Sequence, residues 1–105
     1  MNYEKLLEGK KALITAGADG IGYAIAQRFE KAGAKVFVCD INDEAVKKAN
    51  LADDNIKASV CDLRQTQLIA AMIEEGFDYL GELDIIVNNA GLAGETAGVG
   101  EQTLG

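Results

Sequence analysis

The sequence predicts an α/β fold, a doubly wound parallel sheet with helices between its strands. Three observations predict it. Short apolar runs recur at Ala12–Ile14, Val36–Cys39, Ala58–Cys61 and Ile85–Val87. Segments of helical period fill the intervals between them. A glycine-rich stretch joins the first run to the first helical segment. Strands covered on both faces need apolar side chains on both sides, so they read as continuous runs. Strand, helix and strand in succession give parallel, right-handed crossovers.

Each element has its own justification. Ile21, Ile25 and Phe29 recur every four residues and form one face of a first helix. Gly22 and Ala26 lie beside that face and allow close approach to a sheet. Gly33 is placed as the left-handed residue that ends this helix. Asn42 is a good N-cap for a second helix, with Asp43 and Glu44 in its first turn and Lys47 and Lys48 near its end. That charge order suits the helix dipole. In a third helix Leu68 aligns with Met72, and Ile69 with Ile73 and Phe77, a stripe that reads as core. Gly76 weakens that helix by about 1 kcal/mol relative to alanine. Residues 91–105 hold five glycines without periodicity and read as a loop.

Composition bounds the function. The chain has 105 residues, enough for one domain with a real core. Its 10 basic and 17 acidic residues leave a net charge of −7. No basic patch is available to neutralise phosphates, which argues against nucleic-acid binding. The longest apolar stretches fall far short of the roughly 18–20 residues that a membrane helix needs. The N-terminus has no apolar signal-peptide core, so the expected location is the cytoplasm, with Cys39 and Cys61 reduced. The chain has no histidine, which removes the nitrogen ligand of the usual zinc sets and the base of Ser-His or Cys-His catalysis. The two cysteines read as buried, inert thiols.

The chemistry gathers where strands end. The first strand leads through Thr15-Ala16-Gly17-Ala18-Asp19-Gly20-Ile21-Gly22 into a helix. A phosphate at a helix N-terminus meets free N–H groups and the positive end of the dipole, and glycines let the backbone come close. The second strand ends at Asp40, eighteen residues after Gly22. A carboxylate there accepts the hydroxyl protons of an adenosine ribose and repels a 2′-phosphate; the plainer role is a helix cap or a solvated loop acid. The third strand ends at Cys61-Asp62-Leu63. Asp62 either accepts from an adenine amino group or caps the next helix, with Gln65 completing a capping box. The fourth strand ends at Asn88-Asn89-Ala90-Gly91, which unaided says only that the chain turns.

Together these four strand ends resemble the classical short-chain dehydrogenases/reductases. Thr15, Gly20 and Gly22 match that family's TGxxxGxG pattern, and Asn89-Ala90-Gly91 its NAG motif. Asp62-Leu63 matches its adenine-contacting acid-aliphatic pair, and Asp40 its NAD-selecting acid. The resemblance runs from about Leu6 to Gly94. It implies a Rossmann-like sheet of four strands in order 3-2-1-4, incomplete, with residues 1–105 as the N-terminal dinucleotide-binding portion of one domain. It implies that Gly20, Ile21 and Gly22 face the cofactor's pyrophosphate, with Thr15, Gly17, Asp19 and Ile41 also among the cofactor-binding residues. Asp40 would bind the adenosine ribose, and Asp62 and Leu63 would flank the adenine. Asn89, Ala90 and Gly91 would line the ribose side of the cleft. The implied cofactor is NAD in preference to NADP, since both Asp19 and Asp40 are acidic.

The sequence departs from the family in four places. Ala16 replaces the first glycine of the loop, which is acceptable if its backbone angles are ordinary. Asp19 stands where serine or a basic residue is common, and brings a second carboxylate near the cofactor. Arg64 stands where a small hydroxyl residue often caps the next helix. The family's catalytic Tyr-x-x-x-Lys is absent: Tyr3, Tyr23 and Tyr79 are followed at the fourth position by Leu7, Gln27 and Leu83. No catalytic residue is therefore expected in this chain. The expected function is an NAD-dependent oxidoreductase acting on a small alcohol or ketone, represented by its cofactor-binding part, with homo-oligomers only for a full-length enzyme. The alternatives are a non-catalytic NAD-binding module, an inert truncated product, or an S-adenosylmethionine methyltransferase. The expected open edge at the fourth strand predicts marginal stability.

Overall fold

A computed structural model describes residues 6–89. Four strands alternate with three helices. They are β1 (Lys11–Thr15), α1 (Gly20–Lys31), β2 (Lys35–Asp40), α2 (Asp43–Ala52), β3 (Ile56–Val60), α3 (Thr66–Leu80) and β4 (Ile85–Asn88). The sheet is parallel, in the order β3-β2-β1-β4. The α/β class and the strand order are those expected.

Alternate strand residues serve opposite faces. Ile14, Val36, Val38, Ile56 and Ala58 pack under α1 and α2 with Ala26, Ala45, Val46 and Ala49. Leu13, Phe37 and Cys39 pack under α3 with Cys61, Met72 and Leu80. Val36 to Cys39 are wholly buried, which is why the second strand reads as an unbroken apolar run. The third strand stops at Val60, before the Cys61-Asp62 end assigned from the sequence. It is an edge strand whose Lys57 and Val60 are exposed, so its pattern alternates and its boundary blurs.

Helix α1 approaches the sheet through its smallest residues, and α3 through Gly76 set between Met72 and Leu80. In α1 the buried residues are Gly22 and Ala26, while Ile21 is 70% exposed and Ile25 and Phe29 only flank the core. In α3 the buried line is Met72, Gly76 and Leu80; of the predicted stripe Met72 is core, while Leu68, Ile73 and Phe77 are exposed. Gly76 is not a mere weak point. A Cβ on it would lie 3.0 Å from Phe37 Cδ2 and 3.2 Å from Leu13 Cδ1. Close packing on Phe37 offsets its poor helix propensity.

The helix ends follow the sequence at two points and depart from it at two. Ala32 is the C-cap of α1 and Gly33 follows with φ +102°. The Asn42 side chain accepts from Ala45 N–H at 3.1 Å, capping α2. That helix runs on to Ala52, so Lys47 and Lys48 sit mid-helix and its last turn has no basic residue. The N-cap of α3 is Gln65, without a side-chain cap bond, so the Asp62–Gln65 capping box is not formed.

Candidate functional site

The carboxyl ends of the four strands open on one cleft, where ligands gather in open parallel sheets. The turn after β1 forms its floor. Ala16 has φ +54°, so the expectation of ordinary angles at this position fails. A Cβ in this region costs about 1–2 kcal/mol per residue. The reason it persists lies in its neighbours. The Ala16 carbonyl accepts from Asn89 Nδ2 at 3.0 Å. A Cβ on Gly22 would stand 2.1 Å from that same carbonyl oxygen and 2.6 Å from Asn89 Nδ2. Gly22 is therefore demanded by close packing of α1 on the turn. Gly17 is demanded likewise by Val38, whose Cβ would lie 2.7 Å from an added methyl.

Gly20 differs from both. A Cβ there would meet nothing within 4 Å among the described residues. Asp19 is the N-cap of α1, and its carboxylate accepts from Gly20 N–H at 2.9 Å. The sequence reading did not assign it this capping role. One carboxylate thus already lies at the positive end of the α1 dipole. Ile21 projects beside it, exposed.

Asp40 closes β2 and ties two turns together. Its Oδ2 accepts from Ala18 N–H and its Oδ1 from Asn42 N–H, both at 3.1 Å. Each oxygen keeps a further lone pair, so the group still accepts from a ligand hydroxyl. Thr15 Oγ1 donates to Asn88 Oδ1 at 3.0 Å, linking β1 to β4. Asn89 is buried, and its Oδ1 has no hydrogen-bond partner among the described residues. Ala90 and Gly91, and the loop expected over 91–105, lie outside the described residues.

Asp62 sits just past β3 and is held electrostatically. Its carboxylate accepts from the Arg64 backbone N–H and Nε, each at 3.0 Å, and from Nη2 at 2.9 Å. These bonds to the charged form hold its pKa down to about 2. Arg64, unplaced as a cap by the sequence, here serves the Asp62 turn instead.

Two cavities occupy the cleft. The larger, about 480 Å³, is lined by Ala16, Cys39, Asp40, Ile41, Cys61, Asp62, Leu63 and Arg64. The smaller, about 220 Å³, is lined by Ala16, Asp19, Gly20, Ile21, Asp40 and Asn89. The structure thus brings Asp19, Gly20, Ile21, Asp40, Ile41, Asp62, Leu63 and Asn89 to two depressions that share Ala16 and Asp40, while Thr15, Gly17 and Gly22 line neither. Sequence reasoning missed that Cys39 and Cys61 wall the larger one; that each precedes a strand-end acid was the available signal. Both are buried free thiols. Burial, with Cys61 next to it, pushes the Cys39 thiol up to about 11, and burial with Asp62 raises Cys61. Neither is a ready nucleophile at neutral pH. Among the described residues no cluster of three or more metal-ligating side chains occurs, and no helix is long and apolar enough to cross a membrane.

Four parallel strands in the order β3-β2-β1-β4, with helices between them and a glycine turn opening the first helix, place the molecule in the Rossmann-like class of doubly wound α/β proteins. The family model for short chain dehydrogenases matches residues 10–103, and the chain belongs to that family. It is 38% identical over 94 residues to 3beta-hydroxysteroid dehydrogenase 2 of Eggerthella lenta, covering 86% of this chain and 36% of that protein. A hydroxysteroid dehydrogenase from Escherichia coli superposes with a TM-score of 0.74 at 36% identity, over 84% of this chain and 39% of the other. A 3-ketoacyl-(acyl-carrier-protein) reductase from Brucella melitensis, complexed with NADH, superposes with a TM-score of 0.72 at 34% identity, over 76% and 33%. The chain spans about a third of the length of the relatives it matches, 36% in the case of the Eggerthella enzyme.

Proposed function

We propose that the chain is the cofactor-binding part of an NAD-dependent oxidoreductase of the short-chain type. The single observation that carries this is Asp40, held by two backbone N–H groups at the junction of the two chambers. A dinucleotide fits the residues present. Adenine takes the larger chamber, of a volume usual for small-molecule sites, between Asp62 and Leu63. Asp40, with Ile41, takes the adenosine ribose. Gly20, Ile21 and Gly22 lie toward the pyrophosphate at the start of α1, on a floor of Thr15 and Gly17. Asn89, with Ala90 and Gly91, lines the far ribose, where the unpaired Asn89 Oδ1 is available to accept from a hydroxyl. The acids Asp40 and Asp19 disfavour a 2′-phosphate, so NAD is preferred over NADP.

The bound nicotinamide supplies hydride exchange with an alcohol or ketone carbon. The proton chemistry needs a group that this chain does not offer. Tyr23 is held protonated, its pKa pushed up to about 12 by burial and a hydrogen bond to Asp53, and Tyr79 is raised by burial. Neither has a lysine four residues on. We therefore assign catalysis, a small-molecule substrate and homo-oligomer formation to a longer polypeptide, in the cytoplasm. The second reading, a non-catalytic NAD-binding module, is favoured by the same missing pair.

Sequencing the coding region past Gly105 separates the two. An in-frame serine and Tyr-x-x-x-Lys are expected. A stop codon directly after Gly105 would contradict the catalytic reading and leave the binding module. Parallel titrations with NAD and S-adenosylmethionine test the ligand class: binding of NAD alone is expected, and binding of S-adenosylmethionine alone would overturn it.

A further inference from the structure

Among the described residues β3 pairs with β2 alone and forms an edge of the sheet. Asn55 C=O accepts from Val36 N–H, and Cys61 N–H donates to Asp40 C=O, each at 2.9 Å. In a ladder alternate residues bond the neighbouring strand, so Asn55, Lys57, Ser59 and Cys61 face β2. Ile56, Ala58 and Val60 therefore turn their backbone groups outward. The central one is occupied. Asn50 Oδ1 accepts from Ala58 N–H at 2.8 Å, and Asn50 Nδ2 donates to Ala58 C=O at 2.9 Å. These are the two bonds that the opposite residue makes in a hydrogen-bonded antiparallel pair. Asn50 lies in α2, where asparagine is a poor helix former, so helix propensity does not account for it.

We propose that Asn50 is an edge guard: its amide stands in for one residue of a neighbouring strand and keeps a second copy of the chain from pairing with β3. The edge is self-complementary about Ala58. An antiparallel copy with Ala58 opposite Ala58 sets Ile56 opposite Val60 and Lys57 opposite Ser59. The Ser59 hydroxyl donates to Glu75 Oε1 at 2.9 Å, so a carboxylate stands where Lys57 of the other copy arrives. Lys57 and Val60 are exposed. Unpaired strand edges are templates for such pairing, and a side chain that satisfies the outward backbone removes the template at its centre. Asn50 and Ala58 stand apart from the cleft, lining neither of its depressions.

The test is sedimentation velocity over a range of concentrations, with amide hydrogen exchange and melting curves. The chains are wild type, Asn50→Ala, Asn50→Asp, and Asn50→Ala combined with Val60→Lys. Alanine removes both bonds and favours the helix. Asn50→Ala is expected to self-associate about tenfold more tightly than wild type, the worth of one or two hydrogen bonds. Its Ala58 amide should exchange fast when dilute and slowly when associated. Asn50→Asp keeps an acceptor for Ala58 N–H and is expected to match wild type. A lysine at position 60 resists pairing on the same edge and is expected to return Asn50→Ala to the wild-type baseline. Equal association of wild type and Asn50→Ala overturns the proposal, because the body of α2 would then suffice to cover the edge. Association that Val60→Lys leaves unchanged also overturns it, because the contact would lie elsewhere. Loss of cooperative melting in Asn50→Ala overturns it too, since the amide would then hold the fold rather than guard an edge.

Discussion

The turn after β1 and the turn after β3 leave the same edge of the sheet and reach the same cleft, but different forces shape them. The first is set by packing. Gly17 lies on Val38, Gly22 lies on the Ala16 carbonyl, and buried Asn89 clamps that carbonyl from β4. The second is set by charge. Asp62 and Arg64 hold one another through three hydrogen bonds at the protein surface. Contact at van der Waals distance tolerates no added atom, whereas an exposed ion pair tolerates loss and is screened by salt. The half of the cleft at the first turn is therefore rigid and the half at the second turn adjustable.

The sharpest way to break this contrast is Gly22→Ala. Its Cβ would overlap a backbone oxygen that has nowhere to move. We expect a loss of more than ~4 kcal/mol, the range reserved for severe core lesions, read as loss of the cooperative transition in urea. A melting curve like that of wild type would show the first turn to be adjustable after all. Next in size is Asp40→Asn. It deprives one backbone N–H of its acceptor and removes the charge that a ribose hydroxyl would meet. We expect NAD affinity to fall about 10- to 100-fold, the worth of a hydrogen bond to a charged group.

Asp19→Ser ranks third. Serine still caps α1 but withdraws a carboxylate from the helix start. NAD binding should tighten severalfold, and discrimination against NADP should shrink; a wild-type NAD-to-NADP ratio in calorimetry would rule out a repulsive role for Asp19. The smallest effect belongs to the second turn. Asp62→Asn should shift melting only slightly at neutral pH, by an amount that added salt abolishes. The pH dependence has a definite sign. Asp62 is depressed from 3.8 to about 2, so its contribution is complete above pH 4 and disappears as pH falls toward 2. Melting curves of wild type and Asp62→Asn should therefore converge across that interval. Curves that stay parallel would remove the ion pair from the account.

Much of this architecture is legible in the chain, and the exceptions have one cause. Strands buried on both faces announce themselves as apolar runs, as Val36 to Cys39 do. The edge strand β3, with exposed Lys57, does not, and its end was placed too late. Helix faces were read from large residues, yet α1 and α3 meet the sheet through Gly22, Ala26 and Gly76. Small residues carry little hydrophobic signal and permit the closest approach, so the stripes of Ile21 and of Ile73 and Phe77 pointed to the flank instead. In the site, the residue types and their spacing were legible, because the strand ends bring them together by topology alone. The left-handed angle at Ala16 and the thiol wall were not, because each depends on contacts between segments far apart in sequence; the Asp19 cap is a local bond to Gly20 N–H that the glycine pattern around it obscures.

The central claim is that Asp40 selects and holds the adenosine ribose of NAD. Titration of NAD and NADP into the wild-type chain and Asp40→Asn, followed by calorimetry, tests it most directly. Wild type is expected to bind NAD more tightly than NADP, and the substitution to weaken NAD while leaving NADP unchanged or improved. Equal affinities of wild type and Asp40→Asn for NAD, or a wild-type preference for NADP, would contradict it.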